Sequence, residues 1–378
     1  MKTAFVYSPE YRRYDFGPDH PFQCVRVDLA RTLLEACGCL DAADIVPPLE
    51  LTEDELLRTH RAGFVERVRR ASRGEAVPDA TDYGLGTLDV PVFAGMHEAA
   101  LQLVGGTARA AQLILDGDYR RAVNLGGGLH HAQADKAAGF CVYNDLSVAA
   151  RRFTQAGWRV AYLDVDVHHG DGVQWLHYED PRVLTLSLHE TGRFLWPGTG
   201  ATWEMGRGEG SGYSLNLPLE PFTQDDSYLE VLERVVPAAL AWFRPDVLIL
   251  QAGADAHFKD PLADLSLTVQ GLRAVYRRVS AWADEFASGR LLATGGGGYA
   301  IHNVAPRAWA LLYAELSGQS VPEELPPAWL QAWQAPQGDP LPSGWWDLPP
   351  EIPRRAEIES RNRRVAQRLL TDWAAVRK

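Results

Sequence analysis

The sequence predicts an α/β fold, a single three-layer domain in which a mostly parallel sheet is covered by helices on both faces. Two observations favour it. Short apolar runs typical of strands alternate with helical segments through most of the chain, and this alternation is typical of parallel sheets. Polar or glycine-rich stretches follow most of these runs, at the carboxyl ends of strands, where such sheets bind their ligands.

The expected strands are 3–7, 122–125, 160–167, 183–188, 213–219, 247–250 and 291–294. The expected helices are 24–36, 52–58, 62–70, 95–115, 146–155, 172–178, 225–243, 268–286, 304–316 and 356–377. Thr52 and Glu55 form a capping-box pattern. Asn144 or Asp145 is expected to cap the helix that follows them.

Composition excludes several classes of protein. The net charge of −12 argues against a protein that mainly binds nucleic acid. The four cysteines contain no Cys-x-x-Cys pair, and a reducing compartment is expected. The first apolar run is too short for a signal peptide, and no window approaches the length of a membrane span. We therefore expect a cytoplasmic protein that binds neither membranes nor nucleic acid.

The stretch 158–174, WRVAYLDVDVHHGDGVQ, combines an apolar strand with three aspartates and two histidines. A buried carboxylate without a partner costs on the order of several kcal/mol, so these acids need cationic, histidine or metal partners. Asp166 and His168 have period-two spacing, which places both side chains on one face of a strand end. The simpler interpretation is a salt-bridged strand end, but so many polar groups favour a site.

Further polar residues fall at or just after expected strand ends. Asp255 would complete a three-residue zinc site with Asp166 and His168, leaving one position open. His130 and His131 follow a triple-glycine turn and could pair with Asp164 and Asp171. Each aspartate would orient its imidazole for acid–base work. Tyr299 could donate a hydrogen bond to a developing oxyanion. These groups suit metal-assisted hydrolysis of an amide.

Other positions have simpler interpretations when taken alone. Phe140 is expected in the core, and Trp196 is either a core residue or an aromatic wall. Asp89 lies in a glycine-punctuated loop, where a solvated carboxylate is expected. Arg26 is expected to be a surface charge.

The sequence resembles the zinc-dependent histone deacetylases, and among them the bacterial acetoin-utilisation (AcuC-type) members. The resemblance covers about residues 1–315 and rests on long motifs in the same order. These motifs are DHP (19–21), GGGLHHA (126–132), GFCVYND (139–145), LDVDVHHGDG (163–172), SLH (187–189), PGTG (197–200), GADAHFKDP (253–261) and GGGGY (295–299). The resemblance implies an arginase/deacetylase-like fold and places the catalytic domain in residues 1–320. Residues 321–378, rich in Pro and Trp before a terminal helix, are expected to pack on the same domain.

The resemblance also implies roles for individual residues. It implies that Asp166, His168 and Asp255 bind zinc. It implies that His131 is the general base and acid, that His130 supports it electrostatically, and that Asp164 and Asp171 pair with these two histidines. It also implies that Tyr299 polarises the substrate carbonyl. Residues implied to contact the substrate are Asp89, Phe140, Trp196, Leu262 and Gly128. A structural potassium ion is implied at Asp164, Asp166, His168, Ser187 and Leu188. Arg26 matches an arginine at the foot of an internal cavity.

Several positions depart from the family pattern. Trp196 replaces a common Phe, Lys259 stands where eukaryotic members usually have Gly, and His302 stands where Arg is common. Leu262 occupies a position at which polyamine-specific members carry Glu. This last difference disfavours a polyamine substrate.

The leading functional hypothesis is a zinc-dependent deacetylase of lysine in proteins, in which zinc-activated water attacks the amide carbonyl. Its expected partners are acetylated proteins or peptides, with acetyl-CoA synthetase as the suggested target. The same ligands accept iron(II). The alternatives are an amidohydrolase of acetylpolyamines or other small acylamides, an arginase-like di-manganese enzyme and a non-catalytic acyl-lysine binder. The sequence indicates no particular oligomeric state.

Overall fold

The structure, a computed structural model, describes residues 2–336 and 338–377 and is built on one eight-stranded sheet. The strands are β1 (Thr3–Val6), β2 (Ile45–Val46), β3 (Arg121–Asn124), β4 (Val160–Asp164), β5 (Val183–Glu190), β6 (Ser214–Leu219), β7 (Val247–Gln251) and β8 (Leu291–Thr294). They lie in the order β2-β1-β3-β8-β7-β4-β5-β6, and each neighbouring pair of these strands is parallel. The predicted fold class is confirmed.

Helices cover both faces of the sheet. They are α1 (Val25–Ala36), α2 (Glu53–Leu57), α3 (Ala62–Ser72), α4 (Met96–Leu115), α5 (Asp145–Gln155), α6 (Asp171–Leu176), α7 (Asp225–Phe243), α8 (Val269–Phe286), α9 (Ala305–Ser317), α10 (Pro327–Ala332) and α11 (Arg355–Val376). No helix of the described residues is both long and apolar enough to cross a membrane.

The sequence of the central strand β4 explains why helices pack on both faces of the sheet. Successive side chains of a strand point to opposite faces. Val160 and Tyr162 belong to a core cluster with residues of α4 and α5, whereas Ala161 and Leu163 belong to a second cluster with residues of α7, α8 and α9. Both faces of β4 are therefore buried, which explains its nearly continuous apolar sequence.

The element boundaries differ from the sequence predictions in a few places. The strand expected over 160–167 ends at Asp164, and the residues that follow form a bend. The two-residue strand β2 and the short helix α10 were not predicted. The capping box of α2 is present, with Thr52 Oγ1 accepting from the Glu55 N–H at 3.4 Å. Asn144 caps α5 by accepting from the Ser147 N–H at 2.8 Å.

The C-terminal segment packs against the rest of the chain at several points. Trp329 donates a hydrogen bond to the Leu29 carbonyl in α1, and Trp373 in α11 donates one to the Gly212 carbonyl. The buried Asp347 carboxylate accepts hydrogen bonds from Arg307 at 3.1 Å and lies 3.0 Å from His257 Nε2. These contacts make the segment part of the folded body. The division at residue 320 stays a prediction.

Candidate active site and metal centre

A row of buried polar residues crosses the sheet near the carboxyl ends of its strands. The register places them side by side, and they are, in sheet order, Asn124, Thr294, Gln251, Asp164, Ser187 and Asn216. Polar groups buried in a sheet are costly unless they are hydrogen-bonded. The sheet therefore changes from apolar to polar at the edge from which the loops bearing the predicted site residues emerge.

Asp166, His168 and Asp255 meet just beyond this row, in the loops that follow the neighbouring strands β4 and β7. One ligand atom from each residue lies within 4.8 Å of the others. His168 Nδ1 is 3.2 Å from Asp166 Oδ1 and 3.1 Å from Asp255 Oδ2. The predicted residues do converge, but the predicted reason is wrong, because Asp166 and His168 lie in a bend rather than on an extended strand.

Hydrogen bonds hold the remaining carboxylate oxygens. Asp166 Oδ2 accepts from Gln251 Nε2 at 2.6 Å and from the Gly297 N–H at 2.7 Å, while Asp255 Oδ1 accepts from the Val167 N–H at 3.0 Å. A β-carbon at Gly297 would lie 1.8 Å from Asp255 Oδ2, so only glycine fits there. Asp166 Oδ1 and Asp255 Oδ2 are thereby directed towards His168.

The electrostatics of this cluster fit a divalent metal ion. Both carboxylates are fully buried, and burial together with the neighbouring Asp166 raises the pKa of Asp255 to about 8. Two buried carboxylates this close need a cation in order to ionise together. Two carboxylate oxygens and one imidazole nitrogen are ligands that zinc and iron(II) both accept. The residues present therefore suit the predicted metal.

The first histidine–aspartate pair joins His130 to Asp164. His130 Nδ1 lies 2.8 Å from Asp164 Oδ2, which also accepts the Tyr162 hydroxyl, while Asp164 Oδ1 accepts from the Asp166 N–H at 3.1 Å. Burial acts to lower the pKa of His130, but the charges of Asp164 and Asp166 outweigh it and raise the pKa to about 9. His130 is thus held as a cation among carboxylates.

The second pair joins His131 to Asp171. His131 Nδ1 lies 2.7 Å from Asp171 Oδ1, and the other carboxylate oxygen accepts from Gln133 Nε2 at 2.9 Å. Because a carboxylate only accepts, Nδ1 carries the ring proton. Burial, with the nearby His130 and His168, lowers the pKa of His131 well below its usual range. The ring is therefore a neutral base whose Nε2 is free among the described residues.

Tyr299 follows β8 and lies beside the candidate metal ligands. Its N–H donates to Asp260 Oδ2 at 2.7 Å, and its ring centroid is 6.5 Å from that of His168. Its hydroxyl has no hydrogen-bond partner in the described part of the chain, and burial raises its pKa well above the usual value. Tyr299 therefore offers a protonated hydroxyl to a ligand beside the cluster.

Aromatic side chains flank these groups. The Trp196 ring lies 4.5 Å from the His131 ring, and the Phe140 ring lies 5.6 Å from the Tyr299 ring. Phe140 has a φ of 65°, a backbone conformation that is strained for a non-glycine residue. The Gly139 N–H donates to Asp89 Oδ2 at 2.7 Å, so this half-buried carboxylate anchors the loop that carries Phe140.

Two further residues predicted to contact the substrate are also placed. Leu262 is half-buried, and its N–H donates to Asp260 Oδ1 at 3.0 Å. Gly128 has a φ of +98°, and its N–H donates to the Asp145 carboxylate at 3.0 Å. Asp260 therefore holds the backbone at Leu262, and Asp145 holds the backbone at Gly128. The contacts of Leu262 and Gly128 with substrate stay a prediction.

Comparisons with known proteins agree with this geometry. The family model described as "Histone deacetylase domain" matches residues 20–316. The acetoin utilization protein AcuC of Bacillus subtilis (strain 168) is 46% identical over 373 residues, which cover 97% of this chain and 96% of that relative. The AcuC protein of Staphylococcus aureus (strain MSSA476) is 38% identical over 383 residues, covering 100% of this chain and 98% of that relative. The chain belongs to the histone deacetylase family.

Solved structures show the same relationship. The crystal structure of an HDAC homolog from Aquifex aeolicus has a TM-score of 0.85 and 28% identity, covering 97% of this chain and 100% of that one. An HDAC homolog complexed with SAHA gives the same values. The predicted family is confirmed, and the histone deacetylase family identifies this protein as a deacetylase, a hydrolase. The roles assigned above to single residues stay predictions.

Some residues around the site were missed by sequence reasoning. Gln251 bonds the Asp166 carboxylate, Asp260 holds the backbone of Tyr299, and Asp145 accepts from the N–H groups of Gly128 and Leu129. The sequence predicts a part for Asp145 only as a possible helix cap. The position of Gln251 at a strand end was a usable signal, because the other site residues follow strand ends too.

Arg26 corrects an expectation drawn from its neighbours. It is buried, not a surface charge, and its Nη1 donates to the Gly298 carbonyl at 3.0 Å. Its guanidinium lies 4.4 Å from the centre of the Phe22 ring and 5.1 Å from that of Trp309. Arg26 thus packs beneath the loop that carries Tyr299.

The residues predicted to hold potassium are close in the sheet. Asp164 is in register with Ser187, and Leu188 follows in β5. Ser187 Oγ lies 2.8 Å from His189 Nδ1. With Asp166 and His168 in the loop after β4, the set spans two neighbouring strands. Potassium binding stays a prediction.

Proposed function

We propose that this protein is a zinc-dependent lysine deacetylase that acts on acetylated proteins, and that iron(II) is accepted by the same ligands. The observation that carries this proposal is the convergence of three groups at one edge of the sheet. These are the Asp166–His168–Asp255 cluster, the two histidine–aspartate pairs and the free hydroxyl of Tyr299. The set contains a candidate metal site, a base and a hydrogen-bond donor, the groups that metal-assisted amide hydrolysis uses.

The chain's own residues divide the chemistry between them. A bound metal supplies a Lewis acid and lowers the pKa of water. His131 Nε2 accepts a proton from the water that attacks the acetyl carbonyl, because Asp171 keeps the other proton on Nδ1. The Tyr299 hydroxyl donates to the carbonyl oxygen. As the C–N bond breaks, His131 returns its proton to the lysine nitrogen, and acetate and free lysine result.

The protonated His130 has a different part in this scheme. Its ring centroid lies 3.9 Å from that of His131, and Asp164 and Asp166 raise its pKa to about 9. A cation there offsets the negative charge of the carboxylates and favours an oxyanion nearby. His130 therefore acts as a fixed charge, and proton transfer belongs to His131.

The proposed substrate is an acetylated protein, with acetyl-CoA synthetase as the first candidate and the cytoplasm as the proposed location. Leu262 supports a protein over a polyamine, because an apolar side chain gives a polyamine's distal ammonium no carboxylate to bind. Asp89 supports the same choice, since it lies beside Phe140 and is only half-buried. Its second oxygen accepts no hydrogen bond within residues 2–336 and 338–377, and we propose that it binds the backbone of a peptide.

The test compares hydrolysis of a neutral acetyl-lysine peptide with that of N-acetylputrescine, using purified protein of measured zinc and iron content. We expect cleavage of the peptide, inhibition by a hydroxamate, and loss of about 10²–10³ in kcat in Tyr299→Phe with the metal retained. Cleavage of N-acetylputrescine alone would move the function to small acylamides. Cleavage of neither substrate by metal-loaded protein would contradict the proposal and favour a binding role.

A further inference from the structure

A wide groove lies between the loop that carries Trp196 and the C-terminal helix α11. It has a volume of about 780 Å³ and is lined on one side by residues of the 191–203 loop and on the other by α11. We call it the arginine groove, because its charged lining consists of Arg193, Arg361, Arg364, Arg368 and Glu220. None of these residues belongs to the site described above.

The charge of the groove is opposite to that of the whole protein. Four arginines and one glutamate line it, whereas the chain carries a net charge of −12. Arg193 and Arg361 share the carboxylate of Glu220, Arg361 also pairs with Glu357, and Arg368 pairs with Asp372 at 3.4 Å. Arg364 makes no ion pair within the described residues and donates only to Ser360 Oγ at 2.7 Å. Arg364 therefore brings to the groove a positive charge that no carboxylate of the described residues pairs with.

Exposed aromatic side chains surround this charge. Trp203, which lines the groove, is 71% exposed, and Phe194 in the same loop is 66% exposed. Phe194 and the exposed Phe222 line a second pocket of about 610 Å³, which shares Glu220 and Arg361 with the groove but also contains Glu351 and Glu357, so it lies outside the basic surface. Aromatic residues and arginine are the types enriched in surfaces that bind proteins. A small inorganic anion would bind the arginines without contacting the aromatic rings.

The groove and the active site share one loop. Trp196 packs against the rings of His131 and His168, while Gly198, Thr199 and Trp203 of the same loop line the groove. Two hydrogen-bonding contacts hold this loop. Glu204 accepts from the Gly200 N–H at 3.0 Å, and Thr199 Oγ1 lies 2.8 Å from His169 Nδ1. The same loop therefore borders the site at Trp196 and the groove at Trp203.

We propose that the arginine groove binds an acidic segment of the protein substrate, next to the acetyl-lysine that enters the site. This inference rests on the proposed function and adds a substrate class to it, namely lysines flanked by Asp or Glu. A carboxylate of the segment would pair with Arg364, and a second one would share Arg368 with the exposed Asp372. The exposed ring of Trp203 would pack on its apolar atoms.

The test uses three acetyl-lysine peptides of equal length. One has glutamates on the amino-terminal side of the acetyl-lysine, one has them on the carboxyl-terminal side, and one has glutamine at all these positions. We expect one acidic peptide to have a kcat/KM about threefold to tenfold above that of the glutamine peptide, because one or two exposed ion pairs form. Raising the salt to about 1 M should abolish the preference, since exposed charges are then screened.

Two neighbouring arginines provide a matched pair of variants. Arg364→Gln and Arg364→Glu should lower the acidic-to-neutral ratio towards one, with the larger effect for Glu. Arg363→Gln removes the same charge one residue away, where Arg363 pairs with Glu230 of α7 and does not line the groove. It should keep the preference of the unmodified protein. The ratio cancels any general loss of activity in a variant.

The outcomes separate this inference from the proposed function. Hydrolysis of the glutamine peptide reports the deacetylase activity alone. Binding of a fluorescent glutamate peptide, measured by anisotropy in metal-loaded protein, reports the groove even without catalysis. Equal kcat/KM and equal binding for acidic and neutral peptides, unchanged in Arg364→Glu, would overturn the groove proposal while the deacetylase stands. Tighter acidic binding that Arg364→Glu removes supports it.

Discussion

The two histidine–aspartate pairs have nearly the same geometry and different electrostatics. Their Nδ1-to-oxygen distances are 2.8 Å for His130–Asp164 and 2.7 Å for His131–Asp171. The side chain of Asp164 is 0% exposed and that of Asp171 is 10% exposed. The pKa of His130 is raised to about 9, whereas that of His131 is lowered. A hydrogen bond of equal length therefore does not determine the charge of a histidine.

The surroundings of each ring explain this difference. His130 is close to two carboxylates, since its Nε2 lies 3.9 Å from Asp166 Oδ2 in addition to the bond with Asp164. His131 has other histidines around it, and burial has the largest effect on its pKa. One pair is thus a buried ion pair inside the protein, and the other presents a neutral base towards Trp196.

The largest expected effect comes from removing the neutral base. His131→Ala should lower kcat on an acetyl-lysine peptide by about 10²–10⁴, the range for loss of a general base. The metal content should not change, because His131 is not among the three candidate ligands. Metal analysis and steady-state kinetics on the same sample check both points. A variant that retains activity within threefold would show that His131 is not the base.

The next largest effect concerns stability. Asp164→Asn removes the carboxylate from a fully buried ion pair and leaves His130 without its strongest partner, which should destabilise the fold by about 3–5 kcal/mol. Denaturant unfolding of metal-loaded protein measures this loss. The matched control is Asp171→Asn, the same substitution in the other pair. Equal losses of stability in the two variants would contradict the distinction between the pairs.

Asp171→Asn, the control in the unfolding experiment, should have a clear effect on kcat. In Asp171→Asn, the carbonyl oxygen of Asn can still accept from His131 Nδ1, so the ring stays oriented but loses its negative partner. The new amide group also opposes Gln133 Nε2, which donates to Asp171 Oδ2. We expect kcat to fall by about 10–100-fold, as for other partners of catalytic groups. A kcat within twofold of the unmodified protein would assign Asp171 a purely structural part.

The fold and the pairing of charges could be predicted because they depend on local signals. Alternating strands and helices indicate a parallel sheet, and residues that follow parallel strands must meet at one edge. Asp255 lies 87 residues after His168, yet both follow neighbouring strands of that sheet. The convergence of the metal cluster was therefore predictable, although the bend that positions Asp166 and His168 was not.

The contacts of Arg26 and Gln251 could not be predicted from the residues near them in the sequence. Arg26 is flanked by Val25 and Val27, and nothing nearby indicates that Gly298, 272 residues later, will accept its hydrogen bond. Gln251 carries no charge and makes no recognisable pair with a neighbour in the sequence. Its function depends on the register of β7 with β4, which sets it beside Asp164. Burial and register are properties of the whole fold.

The smallest expected effect tests how the buried pair is supported. Tyr162→Phe removes the hydroxyl that donates to Asp164 Oδ2 and leaves the ring in its core cluster. The loss should be about 1.5–3 kcal/mol, the range for a hydrogen bond to a charged group. Asp164 retains His130 and the Asp166 N–H, so this variant should be more stable than Asp164→Asn in the same unfolding experiment. If Tyr162→Phe were as damaging as Asp164→Asn, the hydroxyl rather than His130 would be the main partner of this carboxylate, and His130 would not need to be charged.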